Sequence, residues 1–242
     1  RLAAMTMARY PSYWPETVRG LMTHSAEWTP PMRSAVEAET GLKKRRTLLT
    51  RFGWGIPDER QLLDSSRNAV TMVVQDEFVP FTGADYKMRN FRLHQLPWPC
   101  DALLGLGGAD VELRVTLSYF IEPSAGRRGW RNRYAYASHG LRFDLRRPNE
   151  TTPDFVRRVN REAALDEDGG SSGSGAGNWT LGPDQRSKGS LHQDMWAGDG
   201  PHLATTGGVL AVHAVGGWWK NNKRKDRVDL PIRYALLISL RT

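Results

Sequence analysis

The spacing of hydrophobic positions predicts that the chain begins with helices. Residues 1–10 carry small and apolar side chains at helical density, and a proline ends the run. A second helix begins at Pro15, because proline suits the first turn of a helix. Val18, Leu21 and Met22 then follow the spacing of one helical face. This spacing predicts an amphipathic helix with one apolar stripe against a core.

Strand patterns dominate the chain after the helices. Apolar and β-branched runs occupy residues 69–75, 110–121, 134–145, 209–215 and 232–240. In the second of these runs the two faces separate cleanly, with apolar Val111, Leu113, Val115, Leu117 and Tyr119 against polar Glu112, Arg114, Thr116 and Ser118. Such strands, joined by turns, predict an antiparallel β-sandwich of the jelly-roll kind.

Glycine and proline mark the remaining boundaries. Residues 53–57 (GWGIP) predict a tight turn that depends on glycine, and residues 152–159 predict a short helix with proline at its start. A flexible Gly/Ser loop is expected near residues 166–177. We therefore divide the chain into a helical part, residues 1–67, and a β-rich part, residues 68–242.

Composition narrows the class of protein. Of the 242 residues, 39% are hydrophobic and 25% charged, which is typical of a folded globular protein rather than a disordered one. No apolar run reaches the roughly 18 residues of a membrane helix, so no membrane partner is expected. Cys100 is the only cysteine, which excludes an intramolecular disulfide and a thiolate zinc cluster. A single cysteine favours a reducing compartment, and we expect a cytoplasmic protein.

The net charge of +8 has two interpretations, an evenly basic surface or a polyanionic partner. Two tracts, residues 127–133 and 218–225, mix basic residues with aromatic ones. They are either solvated hairpin tips or surfaces that stack on a nucleic acid or hold an acidic partner. The candidate partner-binding residues are Trp130, Arg131, Trp218, Trp219 and Lys220.

Residues that could carry chemistry do not form a complete site. None of the six histidines stands in a recognised metal-ligand spacing. His192 and Asp194 could share one face of a strand as two metal ligands, although such a pair is more often hydrogen-bonded structure. His24 and Ser25 are adjacent on a helix and do not face each other. We expect no catalytic residue, no metal and no cofactor within these residues.

Two motifs in the helical part resemble a known family. The run 8–26 (ARYPSYWPETVRGLMTHSA) resembles the segment that follows the nucleophile helix in subtilisin-like serine peptidases. Residues 52–58 (FGWGIPD) resemble the turn that closes the peptidase domain of that family. By this resemblance the helical part is the C-terminal remnant of an α/β subtilisin-like domain, and the chain begins inside the nucleophile helix.

The β-rich part also contains phrases that resemble one bacterial branch of the family, often encoded beside AAA-type ATPases. These phrases are residues 113–123 (LRVTLSYFIEP), 134–143 (YAYASHGLRF), 189–196 (GSLHQDMW) and 215–220 (VGGWWK). The resemblance therefore covers nearly the whole chain. It implies a serine endopeptidase as the parent protein and a β-sandwich that stabilises it or docks a partner.

The resemblance also implies where the chemistry lies. The catalytic Asp, His and Ser and the oxyanion-hole Asn of the family all fall before Arg1, so none of their roles passes to a residue of this chain. The implied partners are the N-terminal catalytic part of the same peptidase, a protein or peptide substrate, and an AAA-type ATPase. The residues expected to give structural support are Val18, Leu21, Met22, Gly53, Gly55 and Pro57.

A different class of function remains open at this point. The β-rich part could be a non-catalytic binding module for nucleic acid, carbohydrate or an acidic protein, using the aromatic and basic tracts named above.

Overall fold

Helices make up most of the first 63 residues. The computed structural model of the chain describes residues 1–63, 71–83, 87–88, 90–124, 136–167 and 177–242. The helices are α1 (Leu2–Arg9), α2 (Pro15–His24), α3 (Pro30–Ser34), α4 (Gly41–Phe52), α5 (Glu59–Leu63), α6 (Cys100–Gly105), α7 (Thr152–Glu167), α8 (Pro183–Arg186), α9 (Gly200–Ala204) and α10 (Trp218–Asn221).

The strands pair in antiparallel sheets. They are β1 (Ala26–Glu27), β2 (Ile56–Pro57), β3 (Thr71–Phe78), β4 (Phe81–Thr82), β5 (Lys87–Met88), β6 (Phe91–Gln95), β7 (Asp110–Tyr119), β8 (Gly140–Leu145), β9 (Leu191–Asp199), β10 (Val209–Val215) and β11 (Ile232–Arg241). One sheet has the order β3-β11-β7-β9 and another the order β6-β10-β8. β1 pairs with β2, and β4 pairs with β5.

The two larger sheets share one hydrophobic cluster. On β11, Tyr234, Leu236 and Ile238 belong to this cluster, and Leu210 and Val212 of β10 join it from the other sheet. Because side chains alternate along a strand, one face of each sheet contributes to this shared core. The described structure is therefore a mixed helix and sheet fold built on antiparallel sheets.

The opposite face of each sheet carries a helix. Leu237 of β11 clusters with Leu21 of α2, and Val209 of β10 clusters with Phe155 and Val159 of α7. The layers run in the order α2, four-stranded sheet, three-stranded sheet, α7. Fully burying one such leucine or phenylalanine contributes about 2 kcal/mol to stability.

A buried arginine joins the edges of the two sheets. Arg186 lies 3.5 Å from carboxylate oxygens of both Asp144 on β8 and Asp194 on β9, and it donates to the Phe143 carbonyl at 2.8 Å. Burial raises the pKa of both aspartates, while the Arg186 guanidinium opposes that shift. Losing the arginine would leave the buried Asp194 carboxyl group without its cation, which is a costly state.

Some of the helix and strand boundaries predicted from the sequence agree with the structure, and others differ. β10 has the predicted bounds, and the two faces of β7 separate as the alternation predicts. β6, β9 and α4 were not predicted, and α7 is longer than the expected 152–159. The predicted domain boundary and most of the Gly/Ser loop lie outside the described residues.

The third predicted strand begins later than expected. β8 begins at Gly140 rather than at residue 134. Residues 134 and 135 lie outside the part of the chain that the structure describes. The carbonyls of Ala137 and Ser138 instead accept the backbone amides of Trp218 and Trp219 at 3.0 and 3.2 Å. These two carbonyls therefore bind the start of α10, and the stretch itself forms only an isolated antiparallel bridge, between Ala137 and Pro123.

The contact between α2 and β11 leaves no room for a side chain at Gly20. A Cβ atom there would lie 2.5 Å from Leu237 Cδ1 and 3.3 Å from Ser118 Cβ. We expect Gly20→Val to lower the free energy of unfolding by about 2 kcal/mol, because an added branched side chain overpacks this contact. Urea unfolding of the purified chain measures the change.

The matched control is Gly105→Val, another helical glycine, where nothing lies within 4 Å of an added Cβ. It should change stability by less than about 0.5 kcal/mol. Equal effects of the two substitutions would contradict the close approach of α2 to the sheet.

Candidate functional site

The face of β7 that points to α2 is polar and yet buried. Arg114 is 4% exposed, and Thr116 and Ser118 are fully buried. Polar groups withdrawn from water need hydrogen-bond partners, since an unpaired one costs about 1–3 kcal/mol. The partners come from α2, so we take this contact between helix and sheet as the candidate functional site.

Arg19 of α2 binds the upper end of this face. Its guanidinium donates to the Ser190 carbonyl at 2.6 Å, to Ser118 Oγ at 3.1 Å and to the Tyr119 carbonyl. The same group stacks over the Phe120 ring, 4.3 Å from its centroid. Arginine suits this position because its planar fork reaches several acceptors at once. One helical side chain thereby joins β7 to the start of β9.

His24 binds the lower end of the face through both ring nitrogens. Nδ1 lies 2.8 Å from Thr116 Oγ1 and Nε2 lies 3.1 Å from Ser239 Oγ. Because Thr116 donates its own proton to Gln193 Oε1 at 2.7 Å, it accepts from His24 Nδ1–H. Nε2 then accepts from Ser239. The histidine is a neutral connector between α2, β7 and β11.

Burial and two cations keep His24 uncharged. The ring is buried, which lowers its pKa well below the ordinary value of 6.5, and the nearby charges of Arg114 and Arg241 lower it further. A neutral ring that is bonded at both nitrogens is a structural group. It has no free nitrogen with which to act as a base.

The sheet also binds both ends of α2. At the start of the helix, Gln75 Oε1 of β3 accepts the Trp14 amide at 2.5 Å and the Thr17 hydroxyl at 2.6 Å. At its end, Arg114 Nη1 donates to the His24 carbonyl at 2.7 Å. A cation at the C-terminal end and an acceptor at the N-terminal end both complement the helix dipole.

The glycine turn after α4 lies beside the end of α2. Gly55 has φ +96°, and a Cβ atom there would fall 2.2 Å from the Glu27 carbonyl oxygen, so only glycine fits. Gly53, at φ +57°, follows the last residue of α4 and accepts the Trp28 indole N–H at 2.8 Å. Pro57 pairs with Ala26 between β2 and β1. The turn therefore fastens the chain that leaves α2.

The apolar support residues occupy different depths on α2. Val18 and Leu21 are buried, at 5% and 1% exposure, and Met22 is partly buried. The cluster around Leu21 contains Leu62 of α5 and Leu237 of β11. Leu21 therefore joins α5 to the sheet.

Two of the aromatic residues expected to bind a partner belong to the core. Trp218 and Trp219 are 7% and 6% exposed, and both are members of the large hydrophobic cluster. Their indole N–H groups donate to the carbonyl and the carboxylate of Glu122, at 2.8 and 2.9 Å. Neither ring offers an open face for stacking. Lys220 follows them on α10, and Trp130 and Arg131 lie outside the described residues.

His192 and Asp194 share a face of β9, but each is engaged by other groups. His192 Nε2–H donates to the Gly189 carbonyl at 3.0 Å. Asp194 accepts the backbone amides of residues 181 and 182, each at 2.9 Å, and faces Arg186. Among the described residues no three His, Cys, Asp or Glu side chains come together in a way that could hold a metal ion.

A hydrogen-bonded serine and histidine also occur in the described structure, and their chemistry is not catalytic. Ser138 Oγ lies 2.9 Å from His139 Nδ1 and accepts the Glu122 amide at 2.9 Å. Ser138 is fully buried, and burial lowers the pKa of His139 to about 3. A base with so low a pKa and a hydroxyl without access to solvent do not form a nucleophile.

Comparison of the chain with protein-family models, with curated proteins and with solved structures finds no match. Over the parts of the chain that the structure describes, no helix combines the length and the apolar content needed to cross a lipid bilayer.

Because three histidines are buried in the neutral form, we expect the free energy of unfolding to fall as the pH is lowered. Burial lowers the pKa of His139 and of His192 to about 3 and that of His24 well below 6.5. Between pH 6.5 and 3 the unfolded chain binds protons that the folded chain does not, so stability falls as pH falls. We expect a loss of about 2 kcal/mol each from His139 and His192 between pH 8 and pH 5, and His24 changes the stability in the same direction.

Urea unfolding at pH 8, 6 and 5 measures this loss. His139→Phe should reduce it by about 2 kcal/mol, because phenylalanine has no proton to bind. Substituting the exposed His202 by glutamine is the control and should leave the loss unchanged. Equal pH dependence of wild type and His139→Phe would show that His139 is not a buried neutral group.

Proposed function

We propose that this chain is the C-terminal part of a bacterial subtilisin-like serine endopeptidase. In this proposal the Asp/His/Ser triad that hydrolyses the peptide bond lies upstream of Arg1. Residues 1–67 complete the peptidase domain. Residues 68–242 form a jelly-roll-like sandwich that stabilises the peptidase or docks a partner; the hydrophobic cluster shared by the two antiparallel sheets supports this assignment.

One observation carries the proposal: the segment that resembles the peptidase family is the segment held by the sheet. Within residues 8–26, Arg19 binds β7 and β9, Gly20 packs against β11, and His24 binds β7 and β11. The buried polar face of β7 is well suited to hold α2, which by the resemblance is the helix that follows the nucleophile helix. Its role is support of an active site rather than chemistry.

The exposed apolar residues of α1 favour a further contact with the catalytic part of the proposed peptidase. The helix has the sequence LAAMTMAR, and within it only Thr6 is buried. Met7 is 53% exposed, and Ala4 and Ala8 are exposed as well. A helix with so many apolar residues normally buries them against a partner. The proposal assigns that partner to the N-terminal catalytic part of the same peptidase.

A short chain of contacts links α1 to the sheet. The Tyr10 hydroxyl, just after α1, donates to the Leu63 carbonyl of α5, and the Tyr10 ring stacks on Tyr13 at 4.8 Å. α5 in turn packs on Leu21 and Leu237. In the proposed enzyme this path would hold the nucleophile helix in place, where an error of about 1 Å can cost roughly a hundredfold in rate.

The proposed reaction requires only the upstream residues. There the serine would attack the peptide carbonyl, the histidine would accept and return the proton, and the aspartate would orient the imidazole. A protein or peptide is the substrate. An AAA-type ATPase stays a proposed partner on the sequence resemblance alone.

The test uses the parent protein encoded by the reading frame that contains this chain. We expect a Gly-Thr-Ser sequence shortly before Arg1, covalent labelling by a fluorophosphonate, and cleavage of casein. Leu21→Asp should abolish labelling or lower the cleavage rate by about a hundredfold or more, because it buries a charge between α2, α5 and the sheet.

Leu104→Asp is the matched control, since Leu104 is 53% exposed on α6 and should keep full activity. A parent protein without the upstream motif, or one that no fluorophosphonate labels, would refute the assignment. Normal proteolysis by Leu21→Asp would refute the supporting role of α2.

A further inference from the structure

An apolar cavity lies where β3 and β7 begin and β11 ends. It measures about 950 Å³, which is near the upper limit for sites that bind small molecules. The sheet contributes Met72, Val111, Ile238 and Leu240 to its lining. Residues of α2, α5 and α6, together with the segment just before α6, complete the lining.

The segment before α6 presents no free backbone donor to the cavity. Pro97 and Pro99 have no N–H group. The amides of Leu96 and Trp98 donate to backbone carbonyls at 2.8 and 2.7 Å, and the Trp98 indole N–H donates to the Leu203 carbonyl at 3.2 Å. An extended peptide, which depends on main-chain hydrogen bonds, would find no donor along this wall. The wall therefore favours a small molecule over a peptide.

The polar groups of the lining are bound to other protein groups. Arg241 is the only charged side chain among the described lining residues, and it donates to Glu27 and, at 2.7 Å, to Gln61 Oε1. His24 is neutral with both ring nitrogens bonded, one of them to Ser239. A charged ligand would lose its water here without gaining a free partner of opposite charge, which is costly. An uncharged ligand is therefore favoured.

Several apolar side chains of the lining stay partly in contact with water. Met72, Trp98, Leu106 and Leu240 pack against the hydrophobic cluster that the two larger sheets share, yet each is only partly buried. A molecule seated in the cavity would remove apolar surface from water on both the protein and itself. That removal is the dominant favourable term in most association reactions.

We propose that this cavity binds an uncharged, largely apolar small molecule, such as a compound of fused or linked aromatic rings. The ligand packs against Met72, Leu106 and Leu240 and forms no ion pair. Because Leu21 and His24 also line the cavity, the ligand contacts the end of α2 that the sheet holds. The proposal rests on the described chain alone and does not depend on the peptidase assignment.

The experiment compares two fluorescent probes with the same aromatic rings. N-phenylnaphthylamine is uncharged, whereas anilinonaphthalene sulfonate carries a negative sulfonate on those rings. Fluorescence titration with the 242-residue chain should show that the uncharged probe binds at least about tenfold more tightly, because the sulfonate would be desolvated without a free cation.

Methyl NMR locates the bound probe. The methyl resonances of Leu106, Ile238 and Leu240 should shift when N-phenylnaphthylamine is added, because these residues line the cavity. Those of Val159, which packs with α7 on the opposite face of the three-stranded sheet, should not shift.

A variant then fills the cavity. Ala102 lines it and is exposed on α6, so a larger side chain there can enter the ligand space without displacing a buried residue. Ala102→Trp should weaken binding of N-phenylnaphthylamine at least about fivefold, because the indole replaces part of the apolar contact area. The matched control is Leu104→Trp: Leu104 is 53% exposed on the same helix, is not part of the lining, and should leave the affinity unchanged.

The proposal is overturned if neither probe binds, if the sulfonate binds as tightly as the uncharged probe, or if folded Ala102→Trp binds as wild type does. Analytical ultracentrifugation tests the other occupant: a dimer of the free chain that Ala102→Trp dissociates would show that a second copy covers the cavity, and this too overturns the proposal. Should Ala102→Trp fail to fold, the methyl resonances decide, and no shift at Leu106, Ile238 and Leu240 refutes the site.

Discussion

The buried polar face of β7 is the constraint on which the rest of the structure depends. Arg114, Thr116 and Ser118 are withdrawn from water and would each destabilise the fold if left unpaired. α2 supplies the missing partners through Arg19, His24 and the carbonyls at its end. Helix and sheet therefore require each other. Without α2, the polar residues of β7 would lose their hydrogen-bond partners. Without the sheet, α2 would lose the groups that bind its two ends.

The other face of β7 explains why this contact reaches the whole molecule. Its apolar residues lie in the cluster that the two larger sheets share, so β7 is buried on both sides. Any shift of the strand to suit the helix would disturb that core, and close-packed cores resist such shifts. The helical segment is thus fixed by a rigid support. In the proposed peptidase, a catalytic helix packed against this segment would need such a rigid support to keep its position.

Sequence patterns predicted the parts of this arrangement that are local. The spacing on α2, the alternation on β7 and the glycine turn at residues 53–57 are set by neighbours in the chain. The alternation of apolar and polar residues on β7, however, is typical of a strand with one solvent-exposed face. Only the folded structure shows that the polar face is buried. Arg19 meets Ser190 across 171 positions of sequence, a pairing that no local pattern contains. In the same way, the basic and aromatic tract at residues 218–225 suggested an exposed surface, while Trp218 and Trp219 in fact fill the core.

The most direct test of this account is native-state hydrogen exchange of the 242-residue chain. If helix and sheet require each other, the amides of α2 and those of β7 exchange through the same opening, with free energies within about 1 kcal/mol of each other. A result in which α2 opens at a free energy several kcal/mol below that of β7 would contradict the account, because the helix would then leave the sheet without unfolding it.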